Sequence, residues 1–193
     1  MIDCGCKQSI INSLIRRNCN ILYTSLTEKI SDLNLYNKVK YDGILISNGP
    51  GDPKMNSYLI NELSIILNSN EFYKNIPVFG ICLGSQLMGL ATGADTYKLK
   101  YGHRGFNQPV IDLRTNKCYI TSQNHGYAID EKSLTSDWEI MFKNLNDNTV
   151  EGIKHKNYPY FSVQFHPEAN GGPTDTGFLF DEFISMMDKK INK

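Results

Sequence analysis

With 193 residues, 40% of them hydrophobic and 21% charged, the chain can bury one sizeable core but is short for two, so a single domain over residues 1–193 is expected. Twenty Lys and Arg against twenty Asp and Glu exclude a global field that would select nucleic acid or an anionic membrane surface. No run approaches the roughly 20 apolar residues of a membrane span, and MIDCGCKQS lacks the charged-then-apolar order of a signal peptide, so a cytoplasmic location is expected.

In chain order, strand-like apolar runs fall at residues 21–24, 43–46, 77–81, 119–121 and 160–165. Ile10, Ile11, Leu14 and Ile15 recur at helical spacing, with Asn18 able to end that helix. Leu59, Leu63, Ile66 and Leu67 form a second stripe, and Leu87, Leu90 and Ala91 a third, stopped by Gly93. Alternating strands and helices predict an α/β fold, a mostly parallel central sheet with helices on both faces. Between residues 97 and 160 the pattern changes to short extended pieces with turns at Asn116-Lys117 and residues 144–148, which reads as an appended antiparallel strand region. Residues 178–187 predict a closing helix through Leu179, Phe180, Phe183, Ile184 and Met187. Only Met1 and Ile2 precede Asp3-Cys4-Gly5, too few for an ordinary buried strand, which points to sequence lost upstream. Five cysteines (Cys4, Cys6, Cys19, Cys82 and Cys118) without a C-x-x-C pair suggest reduced thiols, with neither a disulfide framework nor a zinc site.

Three segments could carry chemistry. Asn48-Gly49-Pro50-Gly51-Asp52-Pro53 follows a probable parallel strand, and its glycines let backbone approach a ligand; a tight turn is the plain alternative. Gly80-Ile81-Cys82-Leu83-Gly84 fits G-x-nucleophile-x-G, a sharp strand-to-helix turn. The following helix would aim its positive end at the sulfur, and the Leu83 N–H could face an oxyanion. A buried core cysteine accounts for that pentapeptide equally well. His166-Pro167-Glu168 places an imidazole and a carboxylate at a strand's end, completing a nucleophile, base and orienting acid with Cys82; His103, His125 and His155 are rival bases.

GICLG with Gln86, SNGPGDP (residues 47–53), TSQNHGYA (121–128) and FSVQFHPEA (161–169) together resemble a class I, triad-type glutamine amidotransferase. GHRGFNQPV (102–110) and Gly172-Pro173-x-Asp175 narrow the resemblance to the glutaminase domain of the carbamoyl phosphate synthetase small subunit. It extends from Ile2 to Met187.

The resemblance implies hydrolysis of L-glutamine to glutamate and ammonia by Cys82, His166 and Glu168, with no metal in this chain. It implies oxyanion donors at Gly49 and Leu83, and glutamine contacts at Gly51, Gln86, Asn124, Gly126 and Tyr127. It also implies a synthetase large subunit or domain as partner, to which the ATP and Mg²⁺ chemistry belongs, since no phosphate-binding loop is present here. The glutaminase of a GMP or anthranilate synthase, and a non-catalytic glutamine-binding domain, are the alternatives. GHRGFNQPV is expected to be mainly a loop near the active-site side. Three departures from the family pattern stand out: Ser85 where histidine is usual, Ser9 in the D-x-G-x-K-x-N segment, and the absence of the family's amino-terminal domain. At Ser85, substitution by histidine is expected to tighten glutamine binding or strengthen activation by the partner.

Overall fold

The computed structural model describes residues 1–25, 41–69, 73–169 and 172–191. Seven strands form one mixed sheet: β1 (Ile44–Ile46), β2 (Val78–Ile81), β3 (Thr96–Asp112), β4 (Lys117–Ile129), β5 (Trp138–Asn144), β6 (Val150–His155) and β7 (Tyr160–Val163). Their spatial order is β1-β2-β7-β6-β5-β3-β4. β2 lies parallel between β1 and β7. The remaining pairs, from β7–β6 to β3–β4, are antiparallel. The three parallel strands are short and wholly buried, the continuous apolar signature of a sheet covered on both faces.

Two cores result from the period-2 alternation of those strands. Ile44, Ile46 and Val78 face α2 (Ser57–Ser64) and α3 (Leu83–Ala91), meeting Leu59, Leu63, Leu87 and Met88. Leu45, Phe79, Ile81 and Phe161 face α1 (Gln8–Ile15) and α4 (Phe178–Ile191), meeting Ile10, Leu14, Leu179, Phe180 and Phe183. Phe79 stacks on Phe161 with ring centroids 4.4 Å apart and meets Phe180 edge-on. A π turn at Ile65–Ser69 follows α2 and keeps Ile66 and Leu67 in the core. Asn18 takes a left-handed φ of 60° just past α1, as a helix-ending residue does.

Two expectations are corrected. The predicted strand at residues 21–24 is reduced to one bridge, Thr24 on Ile2, which also bridges Ile46. Around it the Met1 ammonium donates to the Leu22 carbonyl at 2.6 Å, the Thr24 N–H to Met1 at 3.0 Å and the Asp3 N–H to Thr24 at 3.0 Å, and the chain then turns as the Asp3 carboxylate accepts from the Gly5 and Cys6 N–H groups at 2.9 and 2.8 Å. GHRGFNQPV is likewise not a loop: it lies within β3, with His103 opposite His125, Arg104 opposite Asn124 and Gln108 opposite Thr121. Register shifts between Lys98 and His103 and between Gly105 and Gln108 break the alternation that would have revealed the strand. Gly102 sits at φ 70°, where a Cβ would lie 2.6 Å from the His125 carbonyl oxygen. The turns at Asn116 and at residues 144–148 stand as expected; Asn116 and Asn148 both hold positive φ.

Candidate active site

β2 runs straight into α3 through Cys82, whose φ of 54° and ψ of −103° make a non-glycine turn of the strained kind. The Cys82 N–H donates to the Val163 carbonyl at 2.8 Å, fixing the turn to β7. The neighbouring glycines are required by contact: a Cβ on Gly80 would stand 2.6 Å from Met88 Sδ, and one on Gly84 would stand 2.3 Å from the Ile46 carbonyl oxygen. α3 therefore lies almost on the backbone of β1, and the Cys82 carbonyl accepts from the Ser85 N–H at 3.1 Å to open its first turn.

β7 delivers the second group. Past Val163 the His166 N–H donates to the Ser122 carbonyl at 2.9 Å, and the ring's Nδ1 pairs with Glu168 Oε1 at 2.7 Å. Glu168 is buried, with Lys7 Nζ 3.8 Å from Oε1 and 3.3 Å from His166 Nδ1. Burial opposes charging of His166, but the Cys82 thiol as hydrogen-bond partner and the Glu168 carboxylate outweigh it and hold the imidazole pKa at about 9. Gln164 Nε2 donates to Cys82 Sγ at 3.7 Å. With Nδ1 tied to the carboxylate, the ring presents Nε2 to the thiol.

These groups open into a cavity of about 420 Å³. Cys82, His166, Gly49, Gly51, Gln86, Asn124, Gly126 and Tyr127 all line it. Glu168 stands behind His166, and Leu83 is the first residue of α3. Gly49 is held against the chain's first turn, since a Cβ there would lie 2.1 Å from the Cys4 carbonyl oxygen. Gln86 Nε2 donates to the Tyr127 carbonyl at 2.9 Å and to Gln164 Oε1 at 3.0 Å, and the Tyr127 hydroxyl donates to Asp52 Oδ2 at 3.0 Å. That last bond joins β4 to the Gly-Pro loop.

Lys7 and Arg104, which the sequence reading gave no role, also line the cavity. Lys7 lies at the start of α1, and Arg104 sits opposite Asn124 in the β3–β4 ladder, a placement visible only once that register is known. Ser85 does not line it: the side chain is fully buried and its Oγ lies 2.8 Å from Ser162 Oγ on β7.

Of the rival bases, His155 packs on Trp138, Tyr158 and Tyr160. His125 also lines the cavity, and with His103 and Glu151 it forms a buried cluster whose ligand-type atoms all lie within 4.8 Å of one another. Hydrogen bonds to the Glu151 and Asp147 carboxylates raise the His103 pKa to about 9 against the effect of burial. Burial is the main cause that lowers His125 to about 4, and it also raises Glu151.

The family model Glutamine amidotransferase class-I matches residues 1–186. The chain is 53% identical over 190 residues to the carbamoyl phosphate synthase small chain of Methanocaldococcus jannaschii, covering 98% of this chain and 51% of that one. It is 49% identical over 190 residues to the arginine-specific small chain of Saccharomyces cerevisiae, covering 98% and 45%. The chain thus spans about half the length of the curated relatives it matches. In fold it is similar to a putative GMP synthase subunit from Thermoplasma acidophilum, with TM-score 0.83, 20% identity and coverage of 99% and 94%. A glutamine amidotransferase from Thermotoga maritima superposes with TM-score 0.62 at 20% identity, covering 94% and 79%.

Proposed function

The chain belongs to the class-I glutamine amidotransferase family, and on that footing we propose that it hydrolyses L-glutamine to glutamate and ammonia. The observation that carries this reading is the hydrogen-bonded array of Cys82, His166 and Glu168 opening into a cavity of amino-acid size. His166 Nε2 takes the Cys82 proton before the attack, in keeping with its raised pKa, and the thiolate Sγ then attacks the side-chain carboxamide carbon. The developing oxyanion faces the N–H groups of Leu83 and Gly49, each such donor being worth about 3–4 kcal/mol. The tetrahedral species collapses as His166 returns its proton to the nitrogen, and ammonia leaves a thioester. His166 then deprotonates water, which attacks the thioester, and Cys82 departs with that proton as glutamate forms. Glu168 keeps Nδ1 protonated and Nε2 available throughout. Gly51, Gln86, Asn124, Gly126 and Tyr127 hold the amino acid.

The named relatives support a finer reading: the ammonia supplies a carbamoyl phosphate synthetase large subunit, which carries the ATP and Mg²⁺ chemistry. No helix among the described residues is long and apolar enough to cross a membrane, which fits the proposed cytoplasmic site of action. Glutamate release from glutamine, measured with and without such a large subunit, tests both levels. Turnover above a Cys82→Ala control, stimulated by the large subunit, is expected. Turnover equal to that control in both conditions refutes the hydrolase, and turnover indifferent to the large subunit refutes the partner.

A further inference from the structure

We propose that His103, His125 and Glu151 form a binding site for a divalent transition-metal cation of the zinc class, set in the wall of the glutamine cavity, which His125 lines, and sharing no residue with the Cys82 array. The ligand atoms would be His103 Nδ1, His125 Nε2 and Glu151 Oε1. This inference stands independently of the glutaminase reading.

Spacing comes first. His103 Nδ1 is 3.2 Å from His125 Nε2 and 3.2 Å from Glu151 Oε1, and the third edge is 3.8 Å. Tetrahedral zinc with nitrogen and oxygen ligands at about 2.0–2.2 Å sets its ligand atoms about 3.3–3.6 Å apart. The triangle is already of that size.

Proton placement comes second. His125 Nδ1 lies 2.8 Å from the Tyr127 carbonyl, which can only accept, so that nitrogen carries the hydrogen and Nε2 turns a lone pair inward. His103 Nε2 lies 2.8 Å from the Asp147 carboxylate, the same anchoring. Metal-bound histidines are held this way, each donating its outer N–H to a carboxylate or carbonyl. With both outer nitrogens so occupied, two inner lone pairs and a carboxylate converge on one point, and Gln123 Oε1 adds another acceptor 2.9 Å from His125 Nε2. A single proton on His103 answers one of these contacts, whereas a cation answers all of them.

An unsatisfied atom comes third. Glu151 is fully buried, and its Oε2 has no hydrogen-bond partner. A buried carboxylate left in that state is costly unless positive charge offsets it. Two imidazoles and one carboxylate select zinc, nickel or copper over magnesium and calcium. Asp147, 42% exposed, and the edge of His103 give the approach from solvent. A bound cation would tie β3, β4 and β6 together beside Asn124, Gly126 and Tyr127 of the cavity wall.

The test titrates the metal-free protein with Co²⁺, following its visible d–d absorption, and records X-ray absorption fine structure on the zinc-loaded protein. One equivalent is expected to bind with tetrahedral d–d bands and no thiolate charge-transfer band. Nitrogen and oxygen neighbours are expected at about 2.0–2.1 Å with an imidazole pattern. Glu151→Gln, which preserves volume, should weaken binding about tenfold or more, while Cys82→Ser should leave it unchanged. The proposal is overturned by the absence of saturable binding, by sulfur neighbours at about 2.3 Å, or by a Glu151→Gln protein that binds as the wild type does. Should that variant fail to fold, the X-ray absorption of the wild-type protein decides alone.

Discussion

Gly84→Ala exposes how closely the nucleophile's position depends on contact between α3 and β1. In an ordinary helix this exchange is favourable by about 1 kcal/mol. Here the new Cβ would lie 2.3 Å from the Ile46 carbonyl oxygen and 2.9 Å from its carbon, both backbone atoms of a central strand. Ordinary contact begins at 3.4 Å, so the first turn of α3 must retreat by about 1 Å, an overpacking that costs about 1–3 kcal/mol. Net destabilisation of up to about 2 kcal/mol follows, a fall of up to roughly 8 °C in Tm for a domain of this size. Activity suffers more, because Cys82 and the Leu83 N–H move with that turn and a 1 Å misplacement costs about 10²-fold in rate. Gly89→Ala supplies the control within the same helix: its Cβ would meet only the Ile129 side chain, 3.0 Å from Cδ1 and 3.2 Å from Cγ1, and no backbone atom that close. That variant should match or slightly exceed the wild type in Tm and keep its kcat. Thermal unfolding and steady-state glutaminase kinetics on the pair decide the matter. If Gly84→Ala is as stable and active as Gly89→Ala, the close approach of α3 to β1 is not what positions Cys82.

Tyr127→Phe removes the hydroxyl bond to Asp52 and should raise the glutamine KM roughly two- to fivefold with kcat nearly unchanged, read from initial rates. Ser85→His forces a ring into a fully buried site beside Ser162, and chemical denaturation should show a loss of about 1–3 kcal/mol without any fall in KM. Because the folded-state pKa of His166 is raised to about 9 from 6.5, its contribution to stability is complete below pH 6.5 and disappears as pH rises through 9. Urea midpoints from pH 6 to 9.5 should therefore fall less steeply in His166→Asn than in the wild type; parallel curves would contradict the assignment.

What the sequence made legible follows from how local the physics is. The parallel strands and their helices were readable because Ile44–Ile46, Val78–Ile81 and the Leu59, Leu63 and Leu87 stripes obey one period each. In the β3–β4 hairpin the turn at Asn116 and the run at 119–121 were readable but residues 102–110 were not, since two register shifts and a left-handed Gly102 scramble the alternation on which strand reading depends. That single gap hid Arg104 beside Asn124 and the gathering of His103, His125 and Glu151, which are up to 48 residues apart along the chain. Cys82 alone was ambiguous because a core cysteine and a nucleophile share the same neighbours in sequence. The difference lies in φ and in the partner that β7 brings, and neither is local. For Ser85, proximity in sequence to Cys82 concealed that the helix turns it to the Ser162 side.

The turn at Cys82 sets stability and activity against each other. A β-carbon held at φ 54° and ψ −103° carries about 1–3 kcal/mol of conformational strain that glycine would not. Selection for a sturdier fold alone would drive this position to glycine, and a Cys82→Gly protein should melt above the wild type while hydrolysing nothing. A directed-evolution scheme that scores stability only would discard this cysteine.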